Sequence, residues 1–251
     1  MSFTQHKTHL FIFACSLFLA MACDSGDIEE QEYIYSSRGR TVKMTATVSG
    51  VASWNGKYTI ALAGFPENDD YSVMQRLMPS EYSDHAPVTL LLTNIPAEVQ
   101  TVELVVANRL RRRLLSFGSI SLADYPQSQD TIYMDLGVID IGLFSTLQSQ
   151  VFDKACILCH GGNGGAGAAR LNLTSGKAYG QLVDVSSTRK EGAVRVVSGN
   201  AEASLLHHLF NEGGEDILGT NHVEIINSQF KDNTDDIRSL IDDWIENLRF
   251  H

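Results

Sequence analysis

A hydrophobic period of two dominates the first half of the chain and begins at Thr41. Apolar side chains alternate with polar ones along this stretch, at Val42, Met44, Ala46 and Val48. Such alternation is typical of a strand with one buried face. The W-N-G-K stretch at residues 54–57 has the composition of a tight turn, so we expect residues 58–62 to return beside the first strand as a hairpin.

Further runs of strand-forming residues follow until the middle of the chain. They occupy residues 88–93, 101–107, 113–122 and 130–136, with a less regular run at 71–77. About seven short strands separated by turn residues are typical of an antiparallel sandwich of immunoglobulin-like kind. The pattern therefore predicts an all-β sandwich domain over residues 36–142, in which no catalytic constellation is visible.

The hydrophobic period changes to that of a helix after residues 137–142, where we place a domain boundary. The first helix of this half has an apolar stripe at Leu147, Val151, Phe152 and Ala155. Ser145 and Gln148 fit a capping box at its start. Residues 201–212 and the C-terminal segment show the same helical period. Residues 143–251 are therefore predicted to form an all-α domain.

Residues 1–22 have the pattern of a signal peptide, with a single cation, Lys7, before an apolar run that is short for a membrane span. The end of this run, L-A-M-A followed by Cys23, resembles a bacterial lipobox, in which the cysteine becomes the lipidated first residue. Plain cleavage after an A-x-A site at Ala20 and Ala22 is the alternative. We favour lipidation, because cleavage alone would leave Cys23 as a lone exposed thiol in an oxidising compartment.

An acidic and polar segment completes the N-terminal region, at residues 23–35, and has no apolar periodicity. We interpret it as a solvated tether between the lipidated Cys23 and the first domain. The predicted protein is therefore exported and lipid-anchored, in the periplasm, at the outer membrane or on the cell surface.

Composition and charge limit the partners of this protein. Its 251 residues are 43% hydrophobic and 20% charged, as in soluble globular proteins with one or two domains. A formal net charge of −11 repels nucleic acid and anionic lipid surfaces. The same charge favours a protein partner with a basic docking surface.

The use of cysteine points to one site. Cys15 leaves with the signal peptide and Cys23 would be lipidated, so Cys156 and Cys159 are the pair left in the folded part. Together with His160 they form the pattern C-x-x-C-H. Thiols three residues apart lie on one helix face with the histidine on the same side, which is the pattern of covalent c-type haem attachment. We therefore predict one haem c bound through both thiols, with His160 as the proximal iron ligand.

The features from residue 151 to the C-terminus resemble those of the single-haem cytochrome c-like domain of exported bacterial proteins. They are, in order, F-x-x-x-C-x-x-C-H, a glycine-rich loop, L-x-L, Y-x-x-L, R-V-V-x-G-N, a leucine-rich helix and a closing W-I helix. The resemblance implies an all-α cytochrome c-like domain over residues 143–251 and electron transfer to a redox partner rather than catalysis. It also implies that the first and last helices cross, with Phe152 near Trp244, and that a methionine is the distal ligand.

The distal methionine of that family has no counterpart in this chain. No methionine follows Met134, and the corresponding loop contains His222. We therefore predict His222 as the distal ligand, which would give a lower reduction potential than a histidine and methionine pair. His207 and His208 are the next candidates.

Other functions fit the same residues. An open sixth position would make the protein a haem-based ligand-binding protein or sensor. A surface binding module would instead hold zinc with the C-x-x-C-H residues and His222, or would use the two thiols as a redox disulfide.

A basic cluster either docks a partner, reaches the haem propionates or is a solvated hairpin tip. This cluster consists of Arg109, Arg111, Arg112 and Arg113.

Overall fold

The computed structural model describes residues 39–162, 168–212 and 219–248. The predicted signal peptide, the predicted lipidation site Cys23 and the acidic tether lie outside these ranges, as do Gly164 and Gly167 of the glycine-rich loop. The described residues belong to one compact unit. Within them, no helix is long and apolar enough to cross a membrane.

Three strands form the first sheet, with β1 (Arg40–Ser49) in the centre. β4 (Pro87–Ile95) pairs with it in antiparallel orientation on one side, and β7 (Thr131–Asp140) pairs in parallel on the other. Buried and partly exposed residues alternate along β1, as its hydrophobic period predicts. The sheet is mixed because of the parallel pair, whereas the strand pattern predicts an antiparallel one.

Four strands form the second sheet, in which all neighbours are antiparallel. Their order across the sheet is β3 (Met74–Leu77), β2 (Tyr58–Phe65), β5 (Thr101–Asn108) and β6 (Arg113–Ser121). The two sheets pack against each other. Their facing side chains form one hydrophobic core that includes Val42, Met44, Leu62, Leu104 and Ile132.

The predicted hairpin between the first two strands is wrong, since β1 and β2 belong to different sheets. After β1 the chain turns at Gly50, whose φ of 81° favours glycine, and passes through a 3-10 turn at Val51–Ser53. A Cβ atom at Gly50 would clash with the backbone of Gly142. Trp54, in the supposed hairpin turn, donates its indole N–H to the carbonyl of Ile141 at 2.7 Å. With these contacts the chain continues into β2 of the second sheet and does not return beside β1.

Five helices follow within the described residues. They are α1 (residues 143–160), α2 (Ala178–Leu182), α3 (Leu205–Asn211), α4 (His222–Phe230) and α5 (Thr234–Asn247). Helix α1 is α-helical over Leu143–Leu147 and Ile157–His160, and π-helical over Gln148–Cys156 between them. π-Helical turns are rare and occur frequently at functional sites. The π-helical segment of α1 ends at Cys156, the first residue of the predicted haem motif.

The capping box predicted for α1 is wrong. The helix has Gly142 at its N-cap, and no side chain caps it. Ser145 instead donates its hydroxyl to Asp140 Oδ2 at 2.7 Å. Gln148 Nε2 donates to the carbonyl of Leu173 at 2.8 Å. Both side chains therefore bind neighbouring segments and leave the first N–H groups of the helix to other partners.

Trp244 of α5 lies in the core that the helices share. Its ring packs on Phe144 of α1 with ring centres 5.1 Å apart, and Phe144 in turn packs on Phe152 at 6.2 Å. Helices α1 and α5 therefore meet through Phe144. The apolar stripe of α5 is buried, as its period predicts, at Ile237, Leu240, Ile241, Trp244 and Ile245.

The C-terminal half is not the all-α domain that the sequence predicts. Helices α2 and α3 have only five and seven residues. The chain between them forms β-bridges that pair Val183 with Val196, Ser186 with Val194, and Val194 with Ser204. The two-domain class, an all-β immunoglobulin-like sandwich before an all-α cytochrome c-like domain, is therefore wrong. In the described residues the fold is mixed, with seven strands in two sheets and five helices that lie mostly toward the C-terminus.

Helix α5 is attached directly to the second sheet. Its Asp243 accepts hydrogen bonds from the hydroxyl of Tyr58 and, at 2.6 Å, from the ammonium group of Lys57. Burial and the neighbouring Asp243 raise the pKa of Tyr58 above its ordinary value. On the same helix, Asp236 pairs with Arg112. The helices are therefore bound to the sheets by polar groups that the hydrophobic pattern does not reveal.

Candidate functional site

A cavity of about 300 Å³ lies among the helices and the chain segments that connect them. Its walls are mainly apolar, with buried side chains from Leu173, Leu182, Leu206, Phe210 and Ile226. An apolar cavity of this size with a few convergent polar groups is typical of a ligand or cofactor site. The structure places four of the predicted site residues around this one space, namely Cys156, Cys159, His160 and His222.

Helix α1 presents both cysteines to the cavity from its C-terminal end, and both are free thiols. Burial raises the pKa of Cys156 to about 12, and the nearby Cys159 and Asp153 add to the rise. Cys156 is therefore a neutral thiol at pH 7, whereas the side chain of Cys159 is exposed. Redox-active C-x-x-C pairs have a lowered thiol pKa, so the surroundings of Cys156 differ from theirs.

His160 is the last residue of α1, and backbone groups on both sides fix its position. Its Nδ1–H donates to the carbonyl of Ala168 at 3.1 Å, and its own carbonyl accepts from the N–H of Leu173 at 2.7 Å. Gly161 allows the helix to end here, because a Cβ atom at this position would clash with the carbonyl oxygen of Ile157. Burial lowers the pKa of His160. The ring is therefore neutral at pH 7, with a lone pair on Nε2.

His222 is the first residue of α4, whereas the sequence predicts a loop at this position. Asn221 caps the helix by accepting a hydrogen bond from the backbone N–H of Glu224 at 3.1 Å. The Nδ1–H of His222 donates to the carbonyl of Thr220 at 3.0 Å, and burial lowers the pKa of its ring. The N-x-x-E spacing of residues 221–224 is the capping signal that locates this helix start.

The rings of His160 and His222 have centres 6.5 Å apart, and their planes differ by 25°. Metal–nitrogen bonds to imidazole are about 2.0 Å, and each nitrogen lies about 1 Å from its ring centre, so two imidazoles on opposite sides of one ion have centres about 6 Å apart. Each ring donates Nδ1–H to a backbone carbonyl, which leaves Nε2 as the coordinating atom. Each ring therefore keeps Nε2 free, and the distance between the ring centres is close to that of two imidazoles that bind one metal ion.

The residues around the cavity fit a covalently attached haem better than a zinc ion. Among the residues that the structure describes, no three His, Cys, Asp or Glu side chains are grouped so as to hold a metal ion. The zinc site considered for the C-x-x-C-H residues and His222 is therefore not formed. A haem needs only two axial protein ligands, because its porphyrin supplies the equatorial nitrogens. Two thiols, two neutral imidazoles and apolar walls meet that requirement.

The other histidines considered as ligands lie away from the cavity. His207 Nδ1 lies 2.8 Å from Asp242 Oδ1, and His208 Nε2 donates to the carbonyl of Glu202 at 2.9 Å. Neither side chain lines the cavity. Both histidines therefore have partners on the flanks of α3, where the helical period places them.

The arginine cluster occupies the turn between β5 and β6 and the first residue of β6, and none of its members lines the cavity. Arg113 pairs with Glu103 and Asp70, and its guanidinium carbon lies 4.7 Å from the ring centre of Phe65. Arg112 pairs with a carboxylate of α5. Arg112 and Arg113 therefore hold elements of the fold together.

Two arginines to which the sequence assigns no function do line the cavity, Arg189 and Arg195. Arg195 is only 8% exposed, and its guanidinium donates to the carbonyls of Gln181 at 2.7 Å and Ala169 at 3.1 Å. Burial lowers the pKa of Arg195. Arg195 belongs to the R-V-V-x-G-N stretch, but that pattern does not indicate that its side chain lines a cavity. Arg189 lies in no motif.

A scan of the chain against models of protein families finds no match, and searches among curated proteins and among solved structures find none either. No relative or structural neighbour therefore supplies a substrate, a cofactor or a partner. The function is inferred from the residues of the site.

Proposed function

We propose that this protein is an electron-transfer c-type cytochrome with one haem attached covalently through Cys156 and Cys159. His160 serves as the proximal iron ligand and His222 as the distal one. A lipid on Cys23 tethers the exported chain to the cell envelope, and a redox partner docks through a basic surface. The observation that carries the proposal is the convergence of two thiols and two neutral imidazoles on one apolar cavity.

The residues of the chain would bind and orient the haem in distinct ways. When bound, the haem supplies reversible one-electron chemistry between Fe(II) and Fe(III). The carbonyls of Ala168 and Thr220 keep both imidazoles in the tautomer that leaves Nε2 free. Apolar walls such as Leu182 and Ile226 exclude water from the cavity. If both His160 and His222 held the haem iron, no coordination position would remain for a small molecule, which would favour electron transfer over ligand binding.

The same contacts support the alternatives less well. A redox disulfide needs a reactive thiolate, and burial raises the pKa of Cys156 to about 12. A haem-based sensor needs an open sixth position, whereas the ring of His222 has its centre 6.5 Å from that of His160. Electron transfer is therefore the function that the geometry favours.

Covalent haem is the first test of the proposal. The full chain is expressed together with a cytochrome c maturation system, and an alkaline pyridine spectrum is recorded beside a denaturing gel stained for haem. We expect covalent haem in the wild type and none when Cys156→Ser and Cys159→Ser are combined. Cys23→Ser, which removes a thiol outside the motif, should keep the haem and leave the membrane fraction. A wild-type chain without covalent haem would refute the proposal.

The distal ligand is tested by His222→Ala, with His208→Ala as the matched control. His208 does not line the cavity and bonds to a backbone carbonyl. We expect His222→Ala to lose the low-spin spectrum and to bind CO rapidly when reduced, and His208→Ala to behave as the wild type. An unchanged spectrum in His222→Ala would mean that another group is the distal ligand. Rapid CO binding by the wild type would favour the sensor function.

A further inference from the structure

Charge is distributed unevenly between the cavity and the rest of the chain. The chain has a formal net charge of −11. The described residues that line the cavity nevertheless include Arg189 and Arg195, and none of them is an aspartate or a glutamate. A group that fills the cavity therefore meets positive charge that no carboxylate among the described lining residues compensates.

Arg195 is the buried part of this positive charge. Its side chain is 8% exposed, and within the described residues it has no carboxylate partner. The carbonyls of Gln181 and Ala169 satisfy two of its N–H groups, but a neutral carbonyl does not cancel the charge of a guanidinium. A buried charge without a counterion is costly. A negatively charged group in the cavity would supply that counterion.

Arg189 adds a second, exposed cation to the lining of the cavity. Ser187, which also lines the cavity, accepts hydrogen bonds from the backbone N–H groups of Arg189 at 3.2 Å and Lys190 at 3.1 Å. This turn holds Arg189 at the rim of the cavity. Guanidinium groups match the planar geometry of carboxylates, so the two arginines of the lining suit carboxylate groups in particular.

We propose that Arg195 and Arg189 form an anion-binding subsite for the carboxylate groups of the cofactor in this cavity. The subsite rests on the proposed function, in which these carboxylates are the two propionates of the haem. The arginines neutralise the propionates. Because more positive surroundings stabilise an added electron, they also favour the reduced form of the iron and raise its reduction potential.

The test is the midpoint reduction potential of the full, haem-loaded chain, measured by spectroelectrochemical titration at pH 7. Arg195→Gln is expected to lower the equilibrium constant for reduction about tenfold, which is about 59 mV for a one-electron couple. Arg189→Gln should shift the potential in the same direction by less, because its exposed charge is screened by solvent. Lys190→Gln is the matched control, since it removes the same charge from the next residue, which does not line the cavity. Its potential should equal that of the wild type.

Haem attachment and the low-spin spectrum are recorded for every variant, so that a lost ligand is not mistaken for a lost charge. Absence of covalent haem from the wild type overturns the proposed function and the subsite together. Attached haem with the wild-type spectrum, but equal potentials in Arg189→Gln and Lys190→Gln, overturns the subsite alone. If Arg195→Gln does not fold, the exposed Arg189→Gln decides, and Arg195→Lys should keep a potential nearer to that of the wild type.

Discussion

The two hydrophobic cores of the described chain differ in how completely side chains fill them. Between the sheets, side chains such as Val42, Met44 and Leu104 are fully buried against one another. Among the helices, the core surrounds a cavity of about 300 Å³. The lining of a cavity lacks contacts that a ligand can restore, whereas a filled core needs no further group. The helical half therefore has the room for a cofactor, and the sheets supply the support.

The two cores are joined at Trp54 and Tyr58, which pack against both of them. The hydroxyl of Tyr58 also donates to Asp243 on α5, and Lys57 pairs with the same carboxylate. Helix α5 is therefore anchored on the filled core. We infer that the stability of the cavity-bearing half depends on the sheets.

The largest difference between the cores is expected in the loss of unfolding free energy when one leucine of each core is replaced by alanine. Leu104→Ala, at a fully buried position in β5, should lower the free energy of unfolding by about 2–5 kcal/mol, because the deleted atoms leave a new hole. Leu209→Ala, in the cavity wall, should lower it by only about 1 kcal/mol. The side chain of Leu209 is partly buried and already faces open space. Urea unfolding of the chain without haem measures both changes.

Leu91→Ala is the control for these truncations, since Leu91 lies on β4 and is 49% exposed. It should change the free energy of unfolding by less than about 0.5 kcal/mol. If Leu209→Ala were as destabilising as Leu104→Ala, the helical core would be filled in solution and the contrast between the cores would not hold.

The hydrophobic pattern predicts the strands of the filled core better than their arrangement. Alternation over residues 42–48 reports which face of a strand is buried, and β1 lies there. It does not report the neighbouring strand, which depends on long-range contacts and on the left-handed turn at Gly50. Isolated bridges, such as that between Val183 and Val196, leave no periodic pattern. Because the sequence pattern does not reveal these bridges, it predicts an all-α domain, and that prediction is wrong.

The candidate site likewise has residues that the local sequence could place and residues that only long-range packing brings together. Cys156, Cys159 and His160 are close in sequence, so their spacing alone places them together at the end of one helix. His222 reaches the same cavity only through the packing of α1 against α4. Arg195 comes from a bridged segment for which the hydrophobic period predicts neither helix nor strand. Spacing could therefore identify the motif but could not identify the charge of the cavity.

An intermediate effect is expected at the junction of the cores. Tyr58→Phe removes a donor to the largely buried Asp243, so the free energy of unfolding should fall by about 1–3 kcal/mol. Burial and Asp243 raise the pKa of Tyr58 above its unfolded value of about 10. Above that pH the unfolded state loses the phenolic proton first, which favours unfolding. The advantage of the wild type over Tyr58→Phe should therefore be constant below about pH 9 and shrink as the pH rises past 10.

Tyr133→Phe is the matched control for the junction, since Tyr133 lies on β7 and is 67% exposed. Its stability should equal that of the wild type within about 0.5 kcal/mol. Unfolding curves of the three proteins between neutral and alkaline pH make the comparison. Equal stabilities of Tyr58→Phe and Tyr133→Phe at pH 7 would mean that this hydrogen bond does not couple the two cores.

The smallest effect is expected within the helical half, at the N-cap of α4. Asn221→Ala removes the oxygen that accepts from the N–H of Glu224, and should lower the free energy of unfolding by about 0.5–2 kcal/mol. Because His222 is the next residue, we expect the reduced, haem-loaded variant to bind CO faster than the wild type, as measured by stopped-flow absorbance. Asn221→Asp keeps an acceptor at this position and should restore both the stability and the slow binding of CO. A loss of stability without faster CO binding would mean that the cap holds α4 but does not position His222.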